Sequence, residues 1–411
     1  MTTYQTIGRL SYKQYVEMPD SLKKMLKEFF PVSEYYKLPE VKYCRKCVIS
    51  TQRPRIHFDE DGVCSACRFA EKKQNANWEE REEQLRGLLE KHRSNDGSWD
   101  VVVPSSGGKD SAFVAHKLKY EYNMHPLTVT WAPHIYTGVG WYNFQALVHS
   151  GLDNVLGTPD GLLHRILTRA SLIKMGDIFQ PFIYGQKAFP ISTAVRYGIP
   201  LIMYGENGEV EYGGDSKNEE LPTHNITSDI EKHYISGFKL TDWADCGISA
   251  KDLSCYQMPK IEDAERVGIE CHFLSFYKKW VPQQNYYYTV ENTGFKPEPD
   301  GRSEGTYSKY ASLDDKLAGY HNYFAYLKFG HGRATSDAAH EIRDGHITRE
   351  EGVALVHKFD GEFPTKHFKE VLEYLMMTED EFIQCCERFR NQDIWKKDEA
   401  TGDWRLKRQV S

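Results

Sequence analysis

The feature that most constrains the fold is an apolar triplet followed by a glycine-rich turn. Val101, Val102 and Val103 are β-branched and predict a short buried strand. The turn, Ser106-Gly107-Gly108-Lys109-Asp110-Ser111, leads into a segment, 112–118, that predicts a helix. Such a junction binds phosphate because glycines let the backbone approach an anion, N–H groups point at it and the helix dipole favours negative charge. A ligand-free turn is the alternative.

The spacing in this turn excludes a Walker A loop, which has Ser or Thr directly after its Lys, whereas Asp110 follows Lys109 here. The string instead resembles the pyrophosphate loop of the PP-loop ATPases, also called N-type ATP pyrophosphatases. These enzymes split ATP into AMP and pyrophosphate while they adenylate a substrate oxygen. The resemblance implies a HUP-like α/β domain around the turn.

Two Cys-x-x-Cys pairs precede this region, Cys44/Cys47 and Cys64/Cys67, with sixteen residues between the pairs. This spacing is typical of a zinc ribbon, in which four thiolates close a tetrahedral shell and leave no open position. We therefore predict a structural zinc ion that holds a module too small to build its own core. A redox pair is the alternative, but a redox Cys-x-x-Cys needs no second matching pair.

Strand and helix patterns alternate after the turn. The segment 127–133 predicts a second strand and 199–204 a later one, with helical patterns between them. This alternation indicates a doubly wound parallel sheet with helices on both faces. Ligands of such sheets bind outside the carboxyl ends of the strands, so Trp131 and Gly205-Glu206-Asn207 join the glycine turn as candidates.

The patterns divide the chain into four predicted units. An N-terminal extension, 1–40, precedes the zinc-ribbon module, 41–77. The α/β domain follows over 78–310 and carries a loop-rich insertion from about 208. A helical C-terminal region, 311–411, contains two N-cap boxes, Thr348 to Glu351 and Thr378 to Glu381, and ends in a polar stretch from Trp395 that we expect to be frayed.

Composition limits the function classes. The 411 residues carry a net charge of -7, and no apolar run approaches the length of a membrane span. A net negative charge argues against a large nucleic-acid footprint and favours a small-molecule substrate. The N-terminus lacks a charged and then apolar segment of the secretory kind, so we expect a cytoplasmic location.

Several strings in order resemble the N-acetyl sugar amidotransferases. They are the two Cys-x-x-Cys pairs with Arg53-Pro54 and Phe58-Asp59, the glycine turn, Tyr204-Gly205-Glu206-Asn207, and Lys328-Phe329-Gly330-His331-Gly332-Arg333-Ala334-Thr335. The family comprises PP-loop enzymes of bacterial surface polysaccharides, including lipopolysaccharide O-antigen, and of nonulosonic-acid pathways. The resemblance covers roughly residues 41–400.

The resemblance implies a C–N ligase that converts an N-acetyl group of a nucleotide-linked sugar to an acetamidino group, releasing AMP and pyrophosphate. It implies that ATP is bound by the turn and by Trp131, and that the catalytic residues are Lys109, Asp110 and Ser111. Asp110 and Glu206 are hard carboxylates suited to Mg²⁺. The alternatives are helix N-terminal stabilisation for Asp110, a salt bridge for Glu206 and a core position for Trp131.

Substrate-binding candidates are polar groups at predicted loop or helix edges. A sugar acid would require Lys or Arg against its carboxylate. A solvated surface position is the alternative for each of them. The candidates are Asn143, Lys174, Asp177, Glu206, Asn207, His321 and Arg333.

The ammonia source is predicted to lie on another chain. A glutaminase needs a cysteine on a Gly-x-Cys-x-Gly elbow or directly after the initiator Met, whereas residue 2 is Thr and no cysteine sits on such an elbow. The resemblance implies a glutaminase partner and an ammonia-channelling barrel subunit similar to the histidine-pathway pair.

Two other functions remain open from the sequence. A tRNA-modifying PP-loop enzyme of the thiolase type also combines zinc ribbons with this turn. Such an enzyme needs a basic surface and paired reactive cysteines, whereas eight residues separate Cys246 from Cys255. The second alternative is a non-catalytic zinc-binding scaffold that retains the fold.

Overall fold

The computed structural model describes residues 40–214, 219–223 and 248–411. The predicted N-terminal extension therefore lies almost entirely outside the described residues, as does Cys246. The described strands are β1 (Val101–Pro104), β2 (Pro126–Trp131), β3 (Asp153–Gly157), β4 (Leu201–Tyr204), β5 (Glu270–Phe273), β6 (Trp395–Lys397) and β7 (Trp404–Leu406).

The helices up to the end of the sheet domain are α1 (Ser65–Gln74), α2 (Trp78–His92), α3 (Lys109–Tyr120), α4 (Gly138–His149), α5 (Gly161–Met175), α6 (Gln180–Tyr197), α7 (Gly208–Glu211), α8 (Ile261–Val267), α9 (Leu274–Tyr277) and α10 (Pro282–Thr293). The C-terminal helices are α11 (Ala318–Phe329), α12 (Arg333–Asp344), α13 (Arg349–Phe359), α14 (Phe368–Leu375) and α15 (Glu379–Phe389).

Five strands form one parallel sheet in the order β3-β2-β1-β4-β5. This confirms the predicted α/β architecture with a parallel sheet. The chain builds β1, β2 and β3 outward on one side and then returns to build β4 and β5 on the other. The order therefore reverses between β1 and β4, and open α/β sheets bind ligands outside the carboxyl ends of the strands at such a reversal.

Helices cover both faces of the sheet, and alternation along β1 explains why. Val101 and Val103 pack on the face that α2 and α3 cover, in a cluster with Leu85 and Leu118. Val102 points to the opposite face, where it packs with residues of α6. A strand buried on both faces has no polar alternation, which accounts for the uninterrupted valine triplet.

Two strands differ from the predictions. Strand β3 contains Asp153 and Asn154 and is half exposed, so it has no apolar run that would have marked it. Strand β5, with helices α8 to α10, lies inside the segment that was predicted to be loop-rich from about residue 208. Other parts of that segment, 215–218 and 224–247, lie outside the described residues.

The C-terminal helices share the core of the sheet domain. Residues of α5 and α6, such as Leu167 and Phe182, pack in one buried cluster with Phe324 of α11 and Phe382 of α15. Both predicted N-cap boxes are present, at Thr348 and Thr378. The polar end, in contrast, is not frayed: β6 and β7 form an antiparallel hairpin, and Val410 is buried against the zinc-ribbon module.

Candidate functional site

The glycine loop, residues Ser106–Ser111, connects the carboxyl end of β1 to the N-terminus of α3. Gly107 has a φ of +85°, which L-residues rarely adopt. A Cβ atom at this position would lie 2.6 Å from the backbone N and Cα atoms of Phe144 in α4. Glycine is therefore required at 107 both by conformation and by the close approach of α4.

Two serine hydroxyls hold the turn in shape through three hydrogen bonds. The Ser105 hydroxyl donates to Ser111 Oγ at 3.0 Å and accepts from the Gly107 N–H at 3.4 Å, while the Ser111 hydroxyl donates to the Gly108 carbonyl at 3.0 Å. Ser105 was not among the sequence candidates, because its role depends on the turn closing on itself. The turn is therefore organised before any ligand binds.

Charges of both signs meet at the start of α3. The buried Lys109 ammonium pairs with the carboxylate of Asp110, and it lies 5.2 Å from the centre of the Tyr310 ring. The other oxygen of Asp110 accepts a hydrogen bond from Asn285 of α10 at 3.1 Å. Lys109 is thus held at the loop by a carboxylate and an aromatic ring.

Glu206 follows β4, on the other side of the strand-order reversal. Burial and the facing carboxylate of Asp110 raise the pKa of Glu206 to about 7, against the opposing effect of Lys109. Two neighbouring carboxylates are donors of the kind that Mg²⁺ takes, since this ion is usually bound by one or two carboxylates together with phosphate oxygens. The chemistry of Asp110 and Glu206 is compatible with a magnesium ion, and this site stays a prediction.

A cavity of about 150 Å³, here called the loop cavity, opens at the glycine loop. Binding pockets for whole small molecules span roughly 300–1,000 Å³, so this cavity suits a phosphate-sized part of a ligand. Residues 106–110 line this cavity, and so do Asn143 and Arg333. The other wall consists of Gly140 and the residues Phe295, Tyr310, Ala311, Ser312, Leu313 and Asp314.

The structure gives Asn143 and Arg333 different parts at the loop cavity. The Asn143 side chain forms two hydrogen bonds with the backbone of Lys296. Its Nδ2 atom donates to the carbonyl at 2.9 Å and its Oδ1 atom accepts from the N–H at 2.8 Å, so Asn143 fixes the wall opposite the loop. Arg333 is the first residue of α12, and its Nε atom donates to Asp337 at 2.9 Å. The guanidinium is therefore paired with Asp337 and also lines the cavity, where its other N–H groups are suited to an anionic ligand.

Trp131 is placed in the hydrophobic core. The indole is 4% exposed and lies against Gly185, Phe189 and Tyr256, so close to Gly185 that a Cβ there would approach it to 2.0 Å. These contacts favour the alternative interpretation, in which Trp131 is a core residue. They leave no room for an adenine ring on the sides that Gly185, Phe189 and Tyr256 cover. Trp131 is also absent from the lining of the loop cavity.

The remaining substrate candidates lie away from the loop cavity. Asp177 accepts a hydrogen bond from His321 Nδ1 at 2.8 Å; burial acts to raise its pKa, but His321 and Lys328 hold it below the usual range. Lys174 lies near the end of α5, before Asp177. Asn207 is buried and caps α7 by accepting from the Glu209 N–H at 3.2 Å, so its amide has a structural role.

The strap, residues 294–317, carries site residues that the sequence did not reveal. It runs without helix or strand from α10 to α11 and supplies Tyr310, Ser312 and Asp314 to the loop cavity. Ser312 has a φ of +56°, a conformation that non-glycine residues adopt mainly under tertiary constraint. Ordered segments of this length without regular structure are usually functional, and this length was the available signal.

The four cysteines of the zinc-ribbon module converge as predicted. All are buried, and their sulfur atoms lie within 4.8 Å of one another, with Cys44 to Cys67 at 3.9 Å and Cys47 to Cys64 at 3.7 Å. A tetrahedron with Zn–S bonds of about 2.3 Å has sulfur–sulfur edges of about 3.8 Å. Backbone N–H groups of Lys46 and Cys64 donate to Cys44 Sγ, which stabilises a thiolate there.

The zinc-ribbon module binds the segment that follows Glu206 through three basic side chains. Arg53 donates to the Gly213 carbonyl at 2.8 Å, and Arg55 binds the Glu209 carboxylate through two nitrogens, at 3.0 and 2.6 Å. Lys73 of α1 pairs with Glu211 of α7 in the interior. The zinc ribbon therefore supports the chain next to a candidate magnesium ligand, although its cysteines do not line the loop cavity.

One family of known proteins is similar to the C-terminal region. Residues 304–411, about a quarter of the chain, match the family described as LPS biosynthesis protein WbpG-like, C-terminal domain. No curated protein matches the chain significantly. The matched segment includes Arg333 and most of the strap residues at the loop cavity. Among the described residues, no helix is both long and apolar enough to cross a bilayer.

Proposed function

We propose that this chain is the synthetase subunit of an ATP-dependent amidotransferase that converts an N-acetyl group of a nucleotide-linked sugar to an acetamidino group. The observation that carries the proposal is the glycine loop at the strand-order reversal, with Lys109 beside it and the carboxylates of Asp110 and Glu206 facing each other. The likeness of residues 304–411 to a lipopolysaccharide biosynthesis domain supports a sugar as the second substrate.

The proposed reaction has two steps. The amide oxygen attacks the α-phosphorus of ATP, an O–P bond forms, and pyrophosphate leaves with the electron pair of the broken P–O bond while the amide nitrogen loses its proton. Ammonia then attacks the amide carbon, a C–N bond forms, and AMP leaves with the former amide oxygen. The transferred nitrogen loses one proton, which gives the amidine. Adenylation is needed because an amide carbonyl is a poor electrophile and its oxygen a poor leaving group.

The chain's own groups serve the first step. In this proposal the Gly108 N–H at the start of α3 binds the departing pyrophosphate, and the Gly107 N–H joins it by leaving the Ser105 hydroxyl. Lys109 offsets the charge that develops on the pyrophosphate. The size of the loop cavity, about 150 Å³, suits the pyrophosphate part of ATP. Arg333 adds a second positive charge from the opposite wall.

Metal ions support the reaction in different ways. Asp110 and Glu206 would hold Mg²⁺, which supplies charge neutralisation of the triphosphate. Cys44, Cys47, Cys64 and Cys67 would hold zinc, which supplies structure alone because four thiolates leave no coordination position open. In this proposal the zinc ion takes no part in either chemical step.

Ammonia for the second step comes from a separate glutaminase through a channelling barrel subunit, as the family resemblance implies. The reaction consumes ATP, so the proposed location is the cytoplasm. Free ammonium at high concentration replaces the partners in the assay, which lets the synthetase be tested alone.

The test uses the purified full chain with ATP, Mg²⁺, ammonium and a panel of UDP-linked N-acetyl sugars, followed by mass spectrometry. We expect one sugar nucleotide to lose about one mass unit, as oxygen is exchanged for NH, with one AMP formed per product. Lys109→Ala removes this activity, whereas Lys91→Ala, a change at an exposed lysine paired with Glu270, leaves it unchanged. Formation of ADP in place of AMP would contradict the proposal.

A further inference from the structure

A second cavity of about 330 Å³ adjoins the loop cavity. The strap forms one of its sides through residues such as Arg302 and Ser303, α11 contributes Asn322, and the segment before α14 contributes Pro364 and Thr365. Ser312 and Arg333 line both cavities. The two cavities therefore lie side by side at these two residues.

Ser312, which lines both cavities, has a strained backbone conformation. Ser312 is held at a φ of +56°, and no hydrogen bond of its side chain is found within the described part of the chain. A left-handed serine is strained and persists only where the surroundings enforce it. Residues outside the strap supply that constraint: the Thr137 hydroxyl donates to the Leu313 carbonyl, and the His134 N–H donates to the Asp315 carboxylate at 2.8 Å.

The charges that line the second cavity largely neutralise one another. Lys366 pairs with Glu298 at 2.7 Å and Asp300 at 2.6 Å, and Arg302 binds the Glu362 carboxylate through both terminal nitrogens, at 2.7 and 2.8 Å. Glu304 accepts from the Thr365 hydroxyl and N–H. A polyanion would have to break these pairs, so phosphate is a poor occupant of this cavity.

The same lining suits a hydroxyl-rich ring. Paired carboxylates keep lone pairs for further hydrogen bonds, and Asn322 and Ser312 add neutral polar groups at the cavity. Gly319 and Pro364, which are so close that a Cβ on Gly319 would lie 2.9 Å from Pro364, contribute a small apolar surface for the C–H face of a ring. A volume of 330 Å³ falls within the range of pockets for whole small molecules.

We propose that the second cavity binds the sugar ring of the substrate, oriented so that its N-acyl group passes between Ser312 and Arg333 to the loop cavity. This inference rests on the proposed function and adds to it the residues that select the sugar. The amide oxygen then meets the α-phosphate of ATP where the two cavities join. Most of the residues that line the cavity belong to the segment 304–411 that matches the lipopolysaccharide biosynthesis domain.

The experiment measures binding without turnover, by calorimetry on the full chain with UDP-N-acetylglucosamine and with UDP alone. Asn322→Trp fills the second cavity, whereas Asn292→Trp is the matched control. Each asparagine donates to the carbonyl four residues before it in a helix, at 3.0 Å for Asn322 and 2.8 Å for Asn292, but Asn292 lies on the exposed side of α10. α,β-Methylene-ATP reports on the loop cavity in every variant.

We expect the wild-type chain and Asn292→Trp to bind UDP-N-acetylglucosamine at least tenfold more tightly than UDP. Asn322→Trp loses this preference while its affinity for α,β-methylene-ATP stays within twofold. Independently of any variant, the sugar nucleotide protects amides of residues 300–306 and 365–367 from hydrogen exchange more than UDP does.

An unchanged preference in Asn322→Trp would overturn the assignment of the cavity, and so would equal affinities of the wild-type chain for UDP and the sugar nucleotide. These results are separate from the test of the proposed function. If Asn322→Trp loses sugar binding but the wild-type chain forms no AMP, the cavity assignment stands and the proposed chemistry fails. If the wild-type chain forms AMP but Asn322→Trp still prefers the sugar nucleotide, the proposed chemistry stands and the cavity assignment fails.

Discussion

Lys73 and Glu211 form a buried ion pair in which the Lys73 ammonium lies 2.9 and 2.7 Å from the two carboxylate oxygens. The side chains are 9% and 3% exposed, respectively. Lys73 lies in the zinc-ribbon module, and Glu211 ends the short helix that follows Glu206 and Asn207. The pair therefore links the zinc ribbon to one side of the candidate ATP site.

Lys73→Met should destabilise the protein strongly, because it leaves the Glu211 carboxylate buried without its partner. Loss of one member of a buried pair costs about 3–5 kcal/mol, whereas replacing both members by apolar residues is close to neutral. The double variant Lys73→Met/Glu211→Met should therefore regain most of the loss in thermal unfolding. Lys72→Met is the control, since Lys72 is 62% exposed and its pair with Glu219 contributes little. Equal effects of Lys72→Met and Lys73→Met would argue against the link.

The four-cysteine site should contain one zinc ion per chain. Cys64→Ser removes one ligand, so we expect loss of zinc in elemental analysis and a lower unfolding temperature, because metal binding contributes folding free energy. Cys255→Ser is the control, as Cys255 is an exposed free thiol outside the cluster. Retention of a full equivalent of zinc by Cys64→Ser would contradict the assignment.

The two loop glycines should respond differently to alanine. Gly107→Ala places a methyl group 2.6 Å from the Phe144 backbone at a φ of +85°, and backbone atoms cannot move aside cheaply. Gly108 has a φ of -66°, and a Cβ there meets its nearest neighbour, Ser106 Oγ, at 3.4 Å. We expect a loss of several kcal/mol of stability, roughly 2–4, for Gly107→Ala and under about 1 for Gly108→Ala. Similar unfolding temperatures for the two variants would contradict the loop geometry.

His331 should make stability sensitive to acid. Burial, and then Arg53, lower its pKa from 6.5 to about 3, and its Nδ1 atom has no hydrogen-bond partner among the described residues. Between these two pH values, His331 is therefore protonated in the unfolded chain and neutral in the folded chain. The contribution of His331 is intact above pH 6.5 and is lost as the pH falls from there toward 3.

His331→Phe removes this titration and keeps a ring that stacks on Phe329. We expect the variant to be more stable than the wild-type chain by about 1–2 kcal/mol at pH 5, with a smaller difference at pH 7.5. Denaturant unfolding at both pH values measures the difference. A difference independent of pH would show that His331 does not titrate in this range.

Local sequence patterns predict the parts of the fold that local physics determines. The valine triplet before a glycine turn, the paired Cys-x-x-Cys motifs and the N-cap box at Thr348 all have their expected structures. Helix α6 does not follow a local pattern: it begins at Gln180 and continues through Pro190, although a proline inside a helix removes a backbone hydrogen bond. Tertiary packing of α6 in two hydrophobic clusters outweighs the local effect of the proline.

The candidate site was less predictable, because much of it comes from the strap. Tyr310 and Ser312 carry no local signal. They lie at the glycine loop in a strap that Asn143 holds at Lys296 and Thr137 holds at Leu313. Contacts that are distant in sequence also explain why Trp131 lies in the core, although its position at the end of a strand suggested a ligand contact. The aromatic residues that bury it lie far away in sequence.

Transfer of the amide oxygen to AMP tests the central claim, adenylation at the glycine loop, most directly. The substrate is a UDP-linked N-acetyl sugar labelled with ¹⁸O in the acetyl carbonyl, incubated with ATP, Mg²⁺ and ammonium. We expect the AMP formed to gain about two mass units, because the labelled oxygen leaves with the adenylate, while pyrophosphate stays unlabelled. Unlabelled AMP, or label in inorganic phosphate, would contradict the proposed adenylation.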